Sequence, residues 1–569
     1  MTLRRLILVL AVLAAGALAV VAGNGRPASH PVASRHAPVR GPDGPPRRIG
    51  ATDPKRLLRV GLALRVREPG ALRRFLRDVR TPGAADYHRY LSAAQYGARF
   101  GISDSDVRAL GQRLRSRGFG VVRGYAQRTE LLVTGTAGQV GRTFGVRFDD
   151  YATPRGKTFY APRGRARVPR WLTRYVSDVG ALSNRPPEPS DVPADGLKPI
   201  DIAKAYDIEP LWNQGLHGEG QTIAILSIGT FDPAEIAQFD SQVGHSSGPT
   251  IQRVAVEGGN TLDGTSEGNA GEVALDTQIV RGIAPKAQVI DYELPTDLSS
   301  VPTGFADVYN RVVQDGRASI LSVSYGICEP AVSSGDATLV NNALNAAVAH
   351  GITTFFASGD SGAFDCQQQD PTIQDKAIDY PGGDPGMVVV GGTYLSVQKN
   401  GNYLNEQAWA TTLTRGGTGG GVSGFNRRPS WQTGPGVDKP GLNPDGARQV
   451  PDVAGPADPA SGFKICHGGS CSGGNGGTSA SAPFWAASTA LMQQYTEKHG
   501  GGKLGYLNPT LYQLAATKQP FPPFHDVTRG NNRAYDATPG WDYATGLGSP
   551  DVYGLAQDLN AFLKAHPGK

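Results

Sequence analysis

A serine in a glycine-rich segment just before an apolar stretch is the first candidate for chemistry. Residues 476–483 read GGTSASAP and lead into Ala482–Tyr495, whose apolar residues have helical spacing. Ser479 would therefore lie at a helix N-terminus, where its hydroxyl is accessible and the helix dipole favours developing negative charge. Serine is also a common helix N-cap, so this string alone leaves both a nucleophile and a structural cap open.

A serine nucleophile needs a base, and an acidic pair is the better candidate for it. The ten histidines include no His-Gly-Thr-His string, and we expect His217 and His467 at the surface. Glu272 and Asp276 are four residues apart in the predicted helix Gly271–Arg281 and so share one face. Like charges there oppose double ionisation, so the pair should share a proton and have one raised pKa.

Such a pair can accept a proton in acid, where an imidazole is already protonated. Two solvated carboxylates are the usual meaning of this spacing. The residues around the pair are apolar, however, and neither Lys nor Arg lies four residues from either carboxylate to balance it. The sequence therefore favours a buried, functional pair.

Asp360 is the third candidate. It follows the predicted strand Thr353–Phe356 closely, in the string ASGDSG at 357–362. A carboxyl at the end of a strand can stabilise an oxyanion only while it is protonated and donates a hydrogen bond. Asp360 could therefore bind an oxyanion in acid. The alternative is that it is an ordinary turn aspartate.

The elements that must position these residues alternate along the second part of the chain. Near-continuous apolar strands are predicted at Thr222–Ser227, Ala287–Leu294, Ile320–Ser324, Thr353–Ala357 and Met387–Val390, with helices at Gly271–Arg281, Ala337–His350 and Ala482–Tyr495. Apolar strands joined by helices indicate an α/β fold with a parallel sheet covered on both faces. Sites in such sheets lie at the carboxyl ends of the strands.

The chain before residue 199 has a different composition. Residues 1–22 hold two arginines, an apolar run and small residues, which predicts a cleaved signal peptide and a secreted protein without stable membrane insertion. Residues 23–55, rich in Pro, Arg and Gly, predict a disordered lead-in. Residues 56–183 predict a compact α+β domain, and the Pro- and Asp-rich residues 184–198 predict a linker.

Charge divides the chain into two parts of opposite sign. Residues 1–190 carry a net charge of +22 and residues 191–569 a net charge of −16. The arginines are evenly spread and no nucleic-acid motif is recognisable, so we expect no nucleic-acid partner. Opposite signs suggest instead that the two parts bind each other.

Export would place the four cysteines in an oxidising compartment. Three pairings are open to them. We favour Cys328–Cys366, which each follow a predicted strand end, and Cys466–Cys471, which flank a short glycine-rich loop.

The candidate residues together resemble the sedolisin family of serine-carboxyl peptidases, specifically its kumamolisin-like branch. The resemblance covers nearly the whole chain after the signal, and its motifs are specific in this order and spacing. Besides Glu272, Asp276, Asp360 and GTSASAP, it is carried by Tyr87–Leu91, Thr134–Thr136, Val176–Leu182, Ala205–Asp207, Gly218–Ile223, Gly420–Gln432 and Phe524–Pro550.

The resemblance implies a subtilisin-like fold, preceded by an inhibitory activation prodomain at 56–183 and a processing linker at 184–198. Residues 199–569 would be the catalytic domain. Ser479 would be the nucleophile, Glu272 its general base and acid, and Asp276 the partner that orients Glu272. Asp360 and the Ser479 backbone N–H would hold the oxyanion.

Two further sites follow from the resemblance. Ser324, Tyr325 and Gly326 would line the cleft and pair with the substrate backbone, although the family commonly has Trp at position 325. One structural calcium ion would be bound by the side chains of Asp526 and Asp542 and the carbonyls of Val527, Thr538 and Gly540.

These inferences predict a secreted, acid-acting endopeptidase made as a zymogen, acting on peptides or proteins as a monomer and inhibited by its own prodomain. Acid would neutralise carboxylates of the catalytic domain, weaken docking and permit self-cleavage in the linker. The alternatives are a tripeptidyl exopeptidase of the same family and a catalytically inactive binding protein. Retention of all four catalytic candidates argues against the inactive protein.

Overall fold

The computed structural model describes residues 47–152, 158–164, 166–183, 196–244, 248–259, 270–296, 301–368, 372–398, 400–411, 416–438, 443 and 446–567. The predicted signal peptide, most of the predicted lead-in and residues 184–195 of the predicted linker lie outside these residues. Among the described residues, no helix is long and apolar enough to cross a membrane.

The first part of the chain is an α+β domain, as predicted. Its strands are β1 Arg47–Ala51, β2 Leu57–Leu64, β3 Gly120–Gly124, β4 Glu130–Thr136, β5 Arg147–Ala152, β6 Thr158–Arg163 and β7 Val176–Gly180. Its helices are α1 Pro69–Asp78, α2 Ala93–Arg99, α3 Asp104–Arg115 and α4 Ala137–Phe144. An antiparallel sheet has the order β3-β4-β2-β7 and a second has the order β1-β5-β6. We call this domain, residues 47–183, the prodomain.

The predicted disordered lead-in, 23–55, is too long at its C-terminal end. β1 lies inside it and pairs antiparallel with β5, from Arg47 opposite Ala152 to Ala51 opposite Asp149. The Arg48 side chain also donates two hydrogen bonds to the Asp149 carboxylate, at 2.7 and 2.8 Å. Strand pairing satisfies the backbone of a segment whose composition carries no apolar pattern, which is why the sequence did not indicate it.

The second part is an α/β domain. Its strands are β8 Thr222–Ile228, β9 Gln252–Ala255, β10 Gln288–Leu294, β11 Ile320–Val323, β12 Ile327–Cys328, β13 Thr353–Ala357, β14 Asp379–Tyr380, β15 Met387–Val397, β16 Tyr403–Ala408, β17 Gly421–Arg427, β18 Ala447–Val450, β19 Val453–Pro456, β20 Phe463–His467, β21 Ser470–Asn475, β22 Phe524–His525 and β23 Ser549–Pro550. Its helices are α5 Pro199–Ala205, α6 Glu209–Asn213, α7 Pro233–Val243, α8 Ala270–Ile283, α9 Val301–Asp315, α10 Ser334–His350, α11 Thr478–Lys498, α12 Asn508–Ala516 and α13 Val552–Ala565.

The central sheet has the order β16-β15-β13-β11-β8-β10-β9, and β19 also pairs with β15. All of its pairings are parallel except that of β15 with β16. The five predicted strands are all in this sheet, which confirms the parallel α/β prediction.

Both faces of the sheet are covered, and this explains why its strands are apolar throughout. Ile223 and Ile225 of β8 belong to the core that contains residues of α8, α11 and α13. Ala224 and Leu226 belong to the core on the other face, with residues of α9 and α10. The helices that carry Glu272 and Ser479 thus share one face of the sheet.

The prodomain packs on the other face, against α9 and α10. One continuous apolar cluster joins the two domains: Ala63, Leu72, Phe75 and Tyr96 of the prodomain with Phe305, Leu339 and Ala343 of the α/β domain. Hydrogen bonds also cross the boundary, including Leu91 N–H to Ala349 O at 2.7 Å.

Both favoured disulfides are confirmed. Cys328 pairs with Cys366 and Cys466 pairs with Cys471. The first joins β12 to the short 3-10 turn Asp365–Gln368, and the second closes the hairpin β20–β21.

Candidate active site

Ser479 lies in the first turn of α11, as predicted, and is half-buried. The helix begins after Gly477, whose φ is +87°. A Cβ atom on Gly477 would lie 2.5 Å from Asp360 Oδ2. Glycine at this position therefore serves two needs: it adopts the left-handed backbone and lets the Asp360 carboxyl approach the helix N-terminus.

Glu272 and Asp276 extend from the first two turns of α8. Asp276 is fully buried and Glu272 is half-buried. The helix is held in place by Gln278, which donates to Cys466 O and accepts from Cys466 N–H, both at 2.7 Å. The disulfide hairpin β20–β21 thus anchors the helix that carries the acidic pair.

Burial dominates the electrostatics of this pair. It raises the pKa of Glu272 to about 8, where the Asp360 charge adds to the rise and a hydrogen bond with Ser479 opposes it. It raises the pKa of Asp276 well above the ordinary value, with the charge of Glu272 as the next cause. The pair is buried, as predicted, and burial raises the pKa of both carboxyls, whereas the sequence predicted one raised pKa from the repulsion of like charges.

Ser324 links the nucleophile to the acidic pair. Its hydroxyl lies 2.8 Å from Asp276 Oδ1 and 3.2 Å from Ser479 O, both within donating distance. The Ser479 hydroxyl donates in turn to Ser324 O at 3.4 Å. Ser324 was expected to bind substrate, and its contact with Asp276 was not anticipated because sequence spacing cannot show a contact between separate elements.

Asp360 follows β13 and faces the start of α11. Its Oδ1 accepts from the Thr478 N–H at 2.7 Å and from the Thr478 hydroxyl at 2.8 Å. Burial raises the pKa of Asp360, and these two hydrogen bonds oppose the rise. Because Oδ1 is taken up by Thr478, Oδ2 is the oxygen that can carry a proton. Thr478 was not among the predicted site residues, although it directly precedes Ser479.

The other two residues predicted for substrate binding have different surroundings. The Tyr325 side chain is only 8% exposed, and the charges of Glu272, Asp276 and Asp291 all raise the pKa of its hydroxyl after burial itself. Gly326 is half-buried, and a Cβ there would lie 2.2 Å from Asp379 Oδ1. Tyr325 packs in the apolar cluster that includes Phe305 of α9, and its hydroxyl has no hydrogen-bond partner among the described residues.

The residues predicted to hold calcium are brought together at the C-terminal part of the domain. Asp526 Oδ2 accepts from Gly540 N–H at 3.0 Å, and Asp542 Oδ2 accepts from Thr538 N–H at 2.8 Å. The Thr545 hydroxyl bridges Val527 O and the Asp542 carboxylate. Burial raises the pKa of Asp542 to about 6. This all-oxygen set with a buried carboxylate fits a hard cation such as calcium.

Comparison with known proteins covers both domains. Residues 47–185 match the family model described as "Pro-kumamolisin, activation domain", and residues 264–517 match the model described as "Subtilase family". Kumamolisin from Bacillus sp. (strain MN-32) is 34% identical over 501 residues, which span 83% of this chain and 86% of that protein. The chain belongs to the sedolisin family.

Other sedolisin-family proteins are similar over the same length. Sedolisin from Pseudomonas sp. (strain 101) is 28% identical, over 89% of this chain and 87% of that protein. Tripeptidyl-peptidase 1 from Bos taurus is 26% identical, over 90% of this chain and 93% of that protein. The solved Pseudomonas sedolisin, a serine-carboxyl proteinase complexed with pseudo-iodotyrostatin, aligns with a TM-score of 0.56 and 27% identity over 66% of this chain and 100% of that chain.

These findings confirm the predicted family and the subtilisin-like fold. The protein is a sedolisin-family serine-carboxyl peptidase with an activation prodomain. The matched prodomain begins at residue 47, in agreement with β1 as its first strand.

Proposed function

We propose that this sedolisin-family protein is a secreted endopeptidase that acts in acid and is made as a zymogen. The main support for this proposal is that Ser479 lies at one site with three carboxyls. Glu272 and Asp276 come from α8, and Asp360 follows β13. Tripeptidyl-peptidase 1 is the less similar relative, at 26% identity against 34% for kumamolisin, which supports an endopeptidase over a tripeptidyl exopeptidase.

In the proposed reaction, Ser479 Oγ attacks the carbonyl carbon of the scissile bond while Glu272 accepts the hydroxyl proton. The carbonyl oxygen becomes an oxyanion, which accepts hydrogen bonds from the Asp360 carboxylic acid and the Ser479 N–H. First-turn amides have no partner inside their own helix, so this N–H is free to donate. Glu272 then gives its proton to the leaving amine, and the acyl-enzyme forms.

Water completes the cycle by the reverse route. Glu272 accepts a proton from water as the water oxygen attacks the acyl carbon, and returns it to Ser479 Oγ when the ester bond breaks. Asp276 orients Glu272 throughout, and Ser324 fixes Asp276 by its hydrogen bond at 2.8 Å.

The same geometry explains why acid would favour the reaction. Asp360 must carry a proton to donate to the oxyanion. Once it does, its charge no longer raises the pKa of Glu272. A proton on Asp276 can also be donated to Glu272, which stabilises the ionised base. Both changes move the pKa of Glu272 below about 8, towards the pH at which Asp360 is still protonated.

The decisive experiment is hydrolysis of an unfolded protein from pH 2 to 9 after acid incubation. Wild type is compared with Ser479→Ala and Glu272→Gln. We expect activity confined to acid and its loss in both variants. Neutral activity that survives Glu272→Gln would place the base elsewhere and overturn the mechanism. Absence of activity in a folded, linker-cleaved protein would instead favour the inactive binding protein.

Endopeptidase and exopeptidase action differ in their need for a free N-terminus. We expect N-acetylated and free forms of one internally quenched peptide to be cleaved at similar rates, with internal fragments in the mass spectrum. Release of N-terminal tripeptides from the free form alone would establish a tripeptidyl exopeptidase. Secretion, which the first 22 residues and the two disulfides support, is tested by N-terminal sequencing of the exported protein.

We further propose that Asp526, Asp542 and the carbonyls of Val527, Thr538 and Gly540 hold one structural calcium ion. At a free calcium concentration of about 100 times the Kd, binding would raise the free energy of unfolding by about 3 kcal/mol. We expect a chelator to lower the Tm of the Ser479→Ala protein, and Asp542→Asn to abolish this difference. Asp551→Asn is the matched control, because Asp551 caps α13 outside this loop. If neither the chelator nor added calcium changes the Tm, the proposed calcium site is excluded.

A further inference from the structure

A short hairpin near the C-terminal end of the α/β domain packs beside the segment that carries Asp360. Residues 530–537 form this hairpin, and its ends are joined by the Ala537 N–H, which donates to Gly530 O at 3.0 Å. Asp526 and Asp542, proposed above to hold calcium, lie on either side of it in the chain. The mechanism above gives the 530–537 hairpin no role.

The turn of the hairpin is fixed by two asparagine side chains. Asn532 is fully buried, donates to Tyr543 O at 2.8 Å and accepts from Tyr535 N–H at 2.9 Å. The next residue, Arg533, has a φ of +74°, and its N–H donates to Asn531 Oδ1 at 2.9 Å. Residues other than glycine seldom adopt this left-handed conformation, and they keep it only where the surrounding structure holds them in it.

The Arg533 side chain reaches across to the turn that follows Asp360. Its Nη1 donates to Ser361 O at 2.9 Å, and its Nη2 donates to Gln367 Oε1 at 2.6 Å. The guanidinium also lies over the Phe364 ring, 5.2 Å from the ring centre. A planar guanidinium that donates to two acceptors holds their relative positions more firmly than a single donor could.

The main chain of this turn is bound on two sides. On the hairpin side, the Ala363 N–H donates to Asn532 O at 3.0 Å. On the opposite side, the Gly417 N–H donates to Asp360 O at 2.9 Å, and the Gly362 N–H donates to Gly417 O at 2.8 Å. A Cβ atom on Gly362 would lie 2.4 Å from Asn532 O, so the turn and the hairpin are in close contact. The position of Asp360 therefore depends on the hairpin as well as on its own strand.

We propose that Arg533 is a positioning residue for Asp360, which it keeps in place by holding the turn that begins at Asp360. This inference rests on the function proposed above for Asp360 in the oxyanion site. A hydrogen bond weakens steeply when its donor is displaced or misaligned, so a looser turn would stabilise the oxyanion less. Substrate binding before the reaction does not use this bond. Loss of Arg533 should therefore lower kcat and leave KM nearly unchanged.

The test compares wild type with Arg533→Ala, both fully processed and with calcium in excess. We expect kcat to fall about tenfold and KM to change by less than about twofold. A peptide aldehyde forms a hemiacetal with Ser479, whose oxygen takes the oxyanion position, whereas the matching peptide alcohol does not react. The Ki of the aldehyde should rise about tenfold and that of the alcohol should stay the same. Arg533→Lys, with a single ammonium group, should give intermediate values.

Arg529→Ala is the matched control. Arg529 lies one residue before the hairpin and is exposed, so its replacement removes the same charge and should leave kcat and both Ki values unchanged. In the Asp360→Ala background, Arg533→Ala should cause no further loss of kcat, because the residue acts through Asp360.

Two results would overturn the inference. One is an unchanged aldehyde Ki in Arg533→Ala and Arg533→Lys, and the other is a full additional loss of kcat in the Asp360→Ala background. If Asp360→Ala by itself left kcat and the aldehyde Ki unchanged, the proposed oxyanion role of Asp360 would have failed instead.

Discussion

At the scale of single residues, the proposed oxyanion site depends on a carboxyl with one oxygen held by hydrogen bonds and the other available to carry a proton. Asp360 illustrates this, since Thr478 occupies Oδ1 with two hydrogen bonds and leaves Oδ2 beside Gly477. An asparagine could keep both bonds through its carbonyl oxygen and place its NH₂ group where Oδ2 lies. The carboxyl and the amide would then differ only in whether the donor titrates.

We therefore predict that Asp360→Asn removes the alkaline limb of the kcat/KM profile that comes from deprotonation of Asp360. The sign follows from its raised pKa: the acid form donates, and donation is lost as pH rises through that value. Asp360→Ala, which has no donor at any pH, should lower kcat by about 10²–10³-fold. An alkaline limb that is unchanged in Asp360→Asn would show that this limb belongs to another group.

At the scale of elements, the two disulfides brace the segments that carry the site. Cys328–Cys366 spans 38 residues and ties the segment after β11 to the turn that follows the Asp360 loop. Cys466–Cys471 spans 5 residues and closes the hairpin that contacts Gln278 of α8. In the chain-entropy description, the longer loop gives the larger stabilisation.

We predict that replacing Cys328 and Cys366 by serine lowers the free energy of unfolding by about 4 kcal/mol, against about 2 kcal/mol for Cys466 and Cys471. Chemical unfolding in the Ser479→Ala background measures both without self-digestion. The hairpin pair is the control for loss of a disulfide as such. Equal losses would show that strain or local packing, and not loop length, decides the stability.

At the scale of the whole molecule, docking of the prodomain combines charge with apolar packing. Among the described residues, Arg59 and Arg123 of the prodomain form ion pairs with Glu257 across the domain boundary. The rest of the boundary is the apolar cluster and neutral hydrogen bonds, such as Gln127 to Asn310 at 2.8 Å. Docking therefore draws on apolar burial as well as charge.

The buried carboxyls at this boundary act against release in acid, which differs from the expectation that neutralising carboxylates weakens docking. Burial raises the pKa of Glu130 well above its ordinary value and that of Asp307 to about 6. Groups that bind protons more tightly when docked make docking stronger as pH falls through this range. A histidine with a lowered pKa has the opposite effect.

His350 is such a histidine. Its Nδ1 lies 2.9 Å from the prodomain's Leu91 O. Burial lowers the pKa of His350; the hydrogen bond with Leu91 O opposes this decrease, and nearby Lys503 adds to it. Docking should weaken as pH falls below the ordinary histidine value, because the separated form binds the proton more readily. We predict that His350→Gln, whose amide can still donate to Leu91 O, moves self-processing to lower pH by about half a unit.

His499→Gln is the control for this change, since His499 bonds to Tyr495 O within its own domain. The pH profile of the processed enzyme should be the same in both variants and the wild type. Unchanged processing in His350→Gln would assign acid release to other groups at the boundary.

The sequence by itself determined five strands of the central sheet, the helices that carry Glu272 and Ser479, and the residue types of the site. Apolar runs such as Thr222–Ser227 can be satisfied only between two covered faces, so they predict the parallel sheet. Spacing along one helix fixed Glu272 and Asp276 on one face, and the glycines before Ser479 indicated a tight helix start. Each of these inferences uses periodicity or chain order within one element.

Only the tertiary structure decided which separate elements meet. Ser324 against Asp276 and Thr478 against Asp360 are contacts between residues far apart in sequence. The pairing of β1 with β5 and the placement of the prodomain on α9 and α10 are of the same kind. Such contacts depend on the packing of several elements at once, and no local pattern in the chain encodes them.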